Sequence, residues 1–323
     1  MKPLVEPPVP VYTAESPLFV LLNTVGKRGD GAEISATIER ILREARRKYR
    51  IFTVGDRKTL CPLIDETVAR AAAERGAIVA AGGDGTTNAV AAAAWRAGVP
   101  MGIIPRGTFN YFARNHGVEL ELEAATRALL HATPSPVQIG LINEQPFLVN
   151  ASIGAYPLLL ERQEHYKRRF GRKRIIAVLA TALGVVREDR DWGVDIEAMD
   201  GKGETLNTRT LFVLANKLQA ESLGIDEAAT LERGRLIGIA MPSVTAWSML
   251  RLLARSAVGR LGASNEVRTF GFRRLTIRRL SNRSRASLKL GMDGEVLHLD
   301  LPVTISVAST PLHLLVTSRE AAP

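Results

Sequence analysis

The feature that most constrains the fold is a regular alternation, over the first 140 residues, of short apolar runs with helical patterns. A short, uniformly apolar run such as Leu18–Leu22 is typical of a buried strand. Strand and helix in strict alternation predict a parallel sheet covered by helices on both faces. The predicted strands are 18–22, 50–53, 77–81 and 101–104, and the predicted helices are 35–49, 60–73 and a segment ending at Ala97.

After about residue 140 the pattern changes to short strands with few helices between them. This pattern predicts an antiparallel β domain, so the expected fold class is α/β plus β. The predicted strands are 147–149, 194–198, 208–214, 236–240, 267–277, 286–290 and 303–307, with helices near 158–188 and 244–257.

A chain of 323 residues is long enough for two domains, each with its own core. We expect a flexible, proline-rich arm at 1–16, an α/β domain at 17–140 and a β-sandwich domain at 141–305. The last segment, 306–323, is expected to return to the N-terminal domain.

A glycine-rich loop, Gly82-Gly83-Asp84-Gly85-Thr86, lies between a predicted buried strand and a predicted helix. Parallel α/β sheets bind their ligands at this point. Glycines let the backbone approach an anion closely, and backbone N–H groups at a helix start form a phosphate cradle. A carboxylate repels phosphate, so Asp84 fits such a cradle as a Mg²⁺ ligand or as a proton acceptor. A tight turn in which the aspartate caps the helix is the structural alternative.

A second loop, Pro105-Arg106-Gly107-Thr108-Phe109-Asn110, follows the next predicted strand. It lacks the lysine of a P-loop, so it is not a Walker A site. Two phosphate-type loops on neighbouring strand ends favour a nucleotide site over a pair of unrelated turns.

Together these motifs resemble the diacylglycerol kinase catalytic-domain family, which includes bacterial soluble lipid kinases and sphingosine kinases and is related to NAD kinases. The resemblance spans about residues 17–316. It rests on the two glycine loops with Asn88 and Phe112-Ala-Arg114, on Asn23-Thr-Val-Gly26-Lys27, on Phe147-Leu-Val-Asn150 followed by Gly154, and on Asp293-Gly294-Glu295.

The resemblance implies an N-terminal nucleotide-binding domain and a C-terminal β-sandwich, with ATP and an acceptor lipid meeting in a cleft between them. It implies that Asp84 and Glu295 are catalytic carboxylates, that Asp84 takes part in binding a catalytic Mg²⁺, and that the acceptor is a diacylglycerol-like or sphingoid-like lipid. The implied ATP-binding residues are Asn23, Thr53, Gly82, Gly83, Gly85, Thr86, Gly107, Thr108 and Asn110.

Three positions depart from the family pattern. Ala89 replaces a usual glutamate, Tyr111 a frequent aspartate, and Glu232-Arg233-Gly234 an acidic segment that binds a structural magnesium. Arginine cannot bind a cation, so the structural magnesium site is in doubt. A catalytically weakened nucleotide- or lipid-binding regulator and an NAD kinase-like enzyme are the alternatives to an active lipid kinase.

The formal net charge of +10 is concentrated in two segments. Residues 160–174 carry seven basic and two acidic side chains, and residues 251–285 carry ten arginines and one glutamate. This distribution predicts an anionic partner, and we expect an acidic membrane surface rather than nucleic acid, because no nucleic-acid motif is present. Solvated faces of ordinary core elements are the alternative for both segments.

Several function classes are excluded. One cysteine, Cys61, rules out a disulfide scaffold, and five scattered histidines without HExxH spacing argue against a zinc hydrolase. The longest apolar helical run, 175–186, is shorter than the ~18–20 residues that span a bilayer. The N-terminus lacks the apolar core of a signal peptide. We therefore expect a cytoplasmic, peripherally membrane-associated protein; a homodimer is left open.

Overall fold

The structure, a computed structural model, describes residues 11–25, 31–154, 192–196, 203–208, 210–225, 230–231, 234–241, 267–279 and 287–317. The predicted helices at 158–188 and 244–257 lie outside these ranges. The chain divides into two compact units: Met1–Ile139 with Ser309–Pro323, and Gly140–Ala308. No helix among the described residues is long and apolar enough to cross a membrane.

The first unit is built on a mostly parallel sheet. Its strands, numbered along the whole chain, are β1 (Leu18–Asn23), β2 (Tyr49–Val54), β3 (Ala77–Gly82), β4 (Met101–Pro105), β5 (Thr133–Val137) and β18 (Leu312–Val316). In the described residues the order is β2-β1-β3-β4-β18-β5. The C-terminal strand β18 pairs in parallel with β4 and antiparallel with β5, so the end of the chain completes this sheet.

Helices cover both faces of this sheet. They are α1 (Gly31–Glu44), α2 (Leu60–Ala73) after a 3₁₀ turn (Arg57–Thr59), α3 (Asp84–Ala97), α4 (Tyr111–Asn115) and α5 (Leu122–Ala128). Leu18, Val20 and Leu22 pack in one cluster with Ile38 of α1. The residues between them on β1 point to the other face and are also fully buried, as expected of a central parallel strand.

The predicted helix 35–49 is wrong at both ends. It begins earlier, at Gly31, and ends at Glu44 because Arg46 takes a left-handed conformation with φ 52°. The Arg47 N–H then bonds to the Leu42 carbonyl at 2.8 Å, a helix-terminating geometry, and Tyr49 already begins β2.

The second unit consists of two antiparallel sheets around one shared hydrophobic core. This is the predicted sandwich-type arrangement. The described strands of one sheet, in spatial order, are β10 (Glu204–Thr208), β9 (Trp192–Ile196), β14 (Arg274–Arg279), β17 (Val303–Val307), β6 (Gly140–Ile142) and β7 (Gln145–Phe147). Those of the other are β13 (Arg268–Phe272), β12 (Leu236–Met241), β11 (Thr210–Leu214), β8 (Asn150–Ile153), β15 (Ser287–Met292) and β16 (Glu295–Asp300), and one helix, α6 (Lys217–Ser222), follows β11.

The single strand predicted over 267–277 is two strands in different sheets. Phe272 faces the shared core, and so do Leu275 and Ile277. A continuous strand would place these residues on opposite faces, because side chains alternate with a period of two. Two consecutive exposed residues, Arg273 and Arg274, interrupt the alternation of buried and exposed side chains at the point where the chain passes from one sheet to the other.

One prediction concerns acid stability. His116 is the C-cap residue of α4, its ring centroid lies 4.6 Å from that of Phe112 in an edge-to-face arrangement, and burial lowers its pKa to about 4. Below about pH 6.5 the unfolded chain binds a proton that the folded chain does not, so stability is present at neutral pH and falls from about pH 6.5 to 4. We expect a loss of up to about 3 kcal/mol across this window.

Denaturant unfolding at several pH values measures this dependence. His116→Gln should flatten the slope between pH 6.5 and 4, whereas His131→Gln, at an exposed position, should leave it unchanged. An equal slope in wild type and His116→Gln would contradict the assignment.

Candidate active site

The first glycine loop joins β3 to α3 in a sharp turn. Gly82 is the buried last residue of β3, Gly83 takes the N-cap position with extended backbone, and Asp84 begins the helix. The Thr87 N–H bonds to the Gly83 carbonyl at 3.0 Å. The loop therefore lies at the carboxyl end of a central parallel strand, with the N–H groups of the first turn of α3 directed out of the helix.

The second glycine loop packs directly on the first. The Arg106 N–H donates to the Gly82 carbonyl at 2.8 Å. A Cβ atom on Gly107 would lie 3.0 Å from the Gly83 Cα atom and 2.7 Å from Asn110 Oδ1. Glycine is thus required at position 107 by a close approach of two backbones, and a side chain would push the loops apart.

Asp84 fastens the two loops together. Its Oδ2 accepts a hydrogen bond from the Asn110 N–H and its Oδ1 accepts one from the Tyr111 N–H, both at 3.0 Å. The Asn110 side chain closes the second loop, since Oδ1 accepts from the Gly107 N–H and Nδ2 donates to the Gly107 carbonyl. Asn110 itself is left-handed, with φ 50°, which asparagine tolerates better than most residues.

Asn23, the last residue of β1, connects this strand to the first turn of α3. Its Nδ2 donates to Thr86 Oγ1 at 2.7 Å, and its Oδ1 accepts from the Val25 N–H. Arg106 Nη1 donates to the Asn23 carbonyl at 3.0 Å. Arg106 was assigned no role by the sequence analysis, although its position inside the second glycine loop was a signal that it contributes to the site. Gly26 and Lys27 lie outside the described residues.

The predicted nucleotide residues thus fall into two groups. The inner group makes contacts within the loops: Asn23, Gly82, Gly83, Thr86, Gly107 and Asn110. The outer group, Gly85, Thr108 and Thr53, is exposed. Apart from its chain neighbours and its own helix backbone, no residue that the structure describes has an atom within 4 Å of a Cβ atom placed on Gly85, so the space beside this residue is open. Thr53 lies on β2 opposite Leu22 of β1.

In the second unit, Asp293-Gly294-Glu295 forms the turn of the β15–β16 hairpin. Asp293 and Gly294 both have positive φ, 47° and 91°, as a tight hairpin turn requires. Glu295 is exposed at the first position of β16, opposite Met292. The predicted turn is therefore present, and its carboxylate at position 295 faces solvent.

Asp293 has a structural part that sequence reasoning missed. Its carboxylate accepts hydrogen bonds from three consecutive backbone N–H groups, those of Leu148, Val149 and Asn150, at 2.7–2.9 Å. The predicted strand 147–149 is therefore wrong: β7 ends at Phe147 and β8 begins at Asn150, because the N–H groups between them serve this carboxylate. Asn150 Nδ2 in turn donates to Gln219 Oε1 of α6.

Arg268, Arg273, Arg274 and Arg278 of the basic segment 251–285 are exposed, and two of them have acidic partners. Arg268 pairs with Glu204 at 2.7 Å. Arg278 pairs with Asp195, whose pKa is lowered by hydrogen bonds from Arg278 and Thr205. These pairs support the solvated-face interpretation for these strands. Segment 160–174 and residues 251–266 lie outside the described residues.

Comparison with known proteins locates the likeness mainly in the first unit. Residues 17–142 match the family model of the diacylglycerol kinase catalytic domain. A probable lipid kinase YegS-like protein of Pseudomonas aeruginosa (strain UCBPP-PA14) is 36% identical over 137 residues, 42% of this chain and 44% of that protein.

A second relative matches a stretch of the same length, and a solved structure matches nearly all of the chain. An uncharacterized protein of Synechocystis, sll0036, is 30% identical over 137 residues, 42% of this chain and 31% of that protein. The chain thus spans less than half the length of these two relatives. A crystal structure described as a diacylglycerol kinase from Bacillus anthracis str. Sterne has a TM-score of 0.63 at 18% identity, covering 94% of this chain and 97% of that one. At that identity the likeness shows the shared fold.

Two of the three departures from the diacylglycerol kinase pattern lie in the described residues. Tyr111 contacts Asp84 through its backbone N–H, which any residue except proline supplies, so this contact survives the change of side chain. Ala89 is half-buried within α3. Glu232 and Arg233 lie outside the described residues.

The described residues contain no group of three or more histidine, cysteine, aspartate or glutamate side chains that would hold a metal by themselves.

We predict that Asp293 is a stability determinant. Asp293→Ala removes a charged acceptor from three part-buried N–H groups and should lower the free energy of unfolding by at least about 2 kcal/mol. Asp300→Ala, at the exposed end of the same hairpin, should change it by less than about 0.5 kcal/mol. Urea unfolding compares the two variants, and equal values for both would contradict the structural part given to Asp293.

Proposed function

We propose that this protein is an ATP- and Mg²⁺-dependent lipid kinase that transfers the γ-phosphoryl group of ATP to a lipid hydroxyl. The observation that carries the proposal is the pair of glycine loops at the ends of β3 and β4, held together by Asp84 within a diacylglycerol kinase catalytic domain. Such transfer depends mainly on positioning and on neutralising phosphate charge, which backbone N–H groups and a metal supply.

The first turn of α3 suits the ATP phosphates. Its N–H groups have no acceptor within the helix, and the helix dipole favours an anion there. The open space over Gly85 admits a phosphate close to the backbone. In this proposal Gly82, Gly83 and Gly107 keep the loops close together, Thr86, Thr108 and Asn110 complete the wall, and Asn23 and Thr53 lie towards the adenosine.

Asp84 and Glu295 are proposed as the catalytic carboxylates. The two backbone N–H groups bonded to Asp84 leave lone pairs on both of its oxygens, so it remains able to bind a cation. When bound, Mg²⁺ supplies charge neutralisation on the phosphates. Glu295, exposed and next to a turn fixed by Asp293, is proposed to accept the proton of the attacking hydroxyl.

The acceptor is proposed to be a diacylglycerol-like or sphingoid-like lipid in an anionic membrane to which a cytoplasmic protein binds peripherally. The lipid kinase relatives and the basic segment 160–174 support this acceptor class. The two arginine–carboxylate pairs on β13 and β14 reduce the charge that the second basic segment offers to any anionic partner, nucleic acid included.

A catalytically weakened regulator is the second candidate, favoured by Ala89 at the family's usual glutamate position. A radiolabelled-ATP assay over a lipid panel, with NAD as a separate acceptor, distinguishes the candidates. Phosphorylated lipid supports the proposal. Phosphorylated NAD supports an NAD kinase-like enzyme, and ATP binding without any product supports the regulator.

We predict that Gly85→Val separates nucleotide binding from folding. The added side chain enters open space on a helical residue, so stability should change by less than about 0.5 kcal/mol. The same atoms should exclude phosphate and raise the Kd for ATP about tenfold or more, which is ~1.4 kcal/mol. Gly203→Val, at an exposed position of the second unit, is the matched control. Calorimetry showing the same ATP affinity for both variants would place the phosphates elsewhere.

We also predict that Glu295→Gln lowers kcat by about 100-fold or more, as expected for loss of general acid–base catalysis, while KM for ATP and thermal stability stay close to wild type. Glu144→Gln, an exposed glutamate in the turn before β7, should retain full turnover. Wild-type kcat in Glu295→Gln would remove Glu295 from the reaction.

A further inference from the structure

Two aromatic rings next to the second glycine loop remain exposed. Phe109 and Tyr111 are 58% and 36% exposed, and every other phenylalanine, tyrosine or tryptophan side chain that the structure describes is buried or half-buried. Their ring centroids are 5.5 Å apart and the ring planes differ by 4°. We refer to Phe109 and Tyr111 as the aromatic pair. An apolar surface of this kind, held outside the core, indicates an interaction site.

The backbone beneath the aromatic pair is fixed. Asn110, between the rings, has a left-handed conformation and bonds to Gly107 through its side chain. The N–H groups of both Asn110 and Tyr111 donate to Asp84. The pair therefore loses little conformational freedom on binding, which is the condition for a small apolar surface to bind effectively.

The surroundings of the aromatic pair are basic. The segment 105–115 contains two arginines and no acidic residue. Arg114 is exposed and lies three residues after Tyr111 in α4, so both occupy one helix face, while Phe112 and Ala113 are buried. The segment contacts the carboxylate of Asp84 through hydrogen bonds from its backbone N–H groups.

We propose that the aromatic pair inserts into the interfacial layer of an anionic membrane, with Arg114 contacting the lipid phosphates. Aromatic rings with a neighbouring cation match the chemistry of this layer, where apolar and charged groups lie within a few ångströms. This inference extends the proposed lipid kinase function and rests on it in one respect. Insertion of the aromatic pair would bring the proposed phosphate-binding loops to the membrane surface, where a lipid acceptor lies.

The experiment is vesicle flotation with the full chain, using phosphatidylcholine vesicles with and without phosphatidylglycerol. The double variant Phe109→Ser/Tyr111→Ser should bind anionic vesicles about tenfold more weakly than wild type. Val11→Ser, at a 73% exposed apolar residue of the same unit, should bind like wild type. Arg114→Gln should weaken binding to anionic vesicles and leave the small binding to neutral vesicles unchanged.

Equal vesicle affinity for wild type and the folded double variant would overturn the inference. Calorimetry with ATP provides the second readout, and the double variant should bind ATP like wild type. A loss of ATP affinity with retained vesicle binding assigns the rings to the nucleotide and also overturns it. A chain without lipid kinase activity whose vesicle binding still requires the aromatic pair would refute the proposed function and leave this inference standing.

A labelled variant tests the insertion with both rings intact. The only cysteine, Cys61, is exposed, so Cys61→Ser/Thr108→Cys carries an environment-sensitive fluorophore next to the rings, and the native chain labelled at Cys61 is the control. Anionic vesicles should shift the emission to the blue at position 108 and leave it unchanged at position 61. No shift at position 108 would overturn the inference.

Discussion

The carboxylate of Asp84 is the interaction on which the geometry of the first unit depends. It begins α3, yet both of its oxygens accept N–H groups from the loop that follows β4. Without this anion, the two glycine loops would be joined mainly by the Arg106–Gly82 backbone bond. One side chain thus sets the spacing between two strand ends.

In the second unit, too, an aspartate side chain holds backbone in place. Asp293 accepts hydrogen bonds from three consecutive N–H groups leading into β8, and these bonds fix the hairpin turn that precedes Glu295. In each unit an aspartate inside a glycine motif holds the backbone in place, and a residue close to it is exposed: Gly85 in the first unit and Glu295 in the second. The proposed phosphoryl transfer would require such rigid support next to an exposed group, because positioning supplies much of the rate.

The arginines on β13 and β14 and the arginine next to the aromatic pair lie in different electrostatic surroundings. Arg268 of β13 and Arg278 of β14 each have a carboxylate partner, Glu204 and Asp195, so their charge is largely balanced within the protein. The segment that carries Arg114 contains no acid, and it holds two exposed aromatic rings. Net charge alone does not distinguish these surfaces, since it counts every arginine equally, whereas a paired and an unbalanced cation attract an anionic surface to different extents.

The sequence by itself determined the alternation of β1–β4 with α1–α3, the two glycine loops and the hairpin turn, because periodicity and glycine placement are local properties. It missed the end of α1 at Arg46 and the crossing at Arg273, where the change of backbone direction depends on which sheet the next strand joins. Only the tertiary structure showed that Asp84 and Asp293 hold backbone N–H groups of residues 26 and more than 140 positions away. A carboxylate's partners at such separations are fixed by how strands meet in space, and no spacing along the chain encodes them.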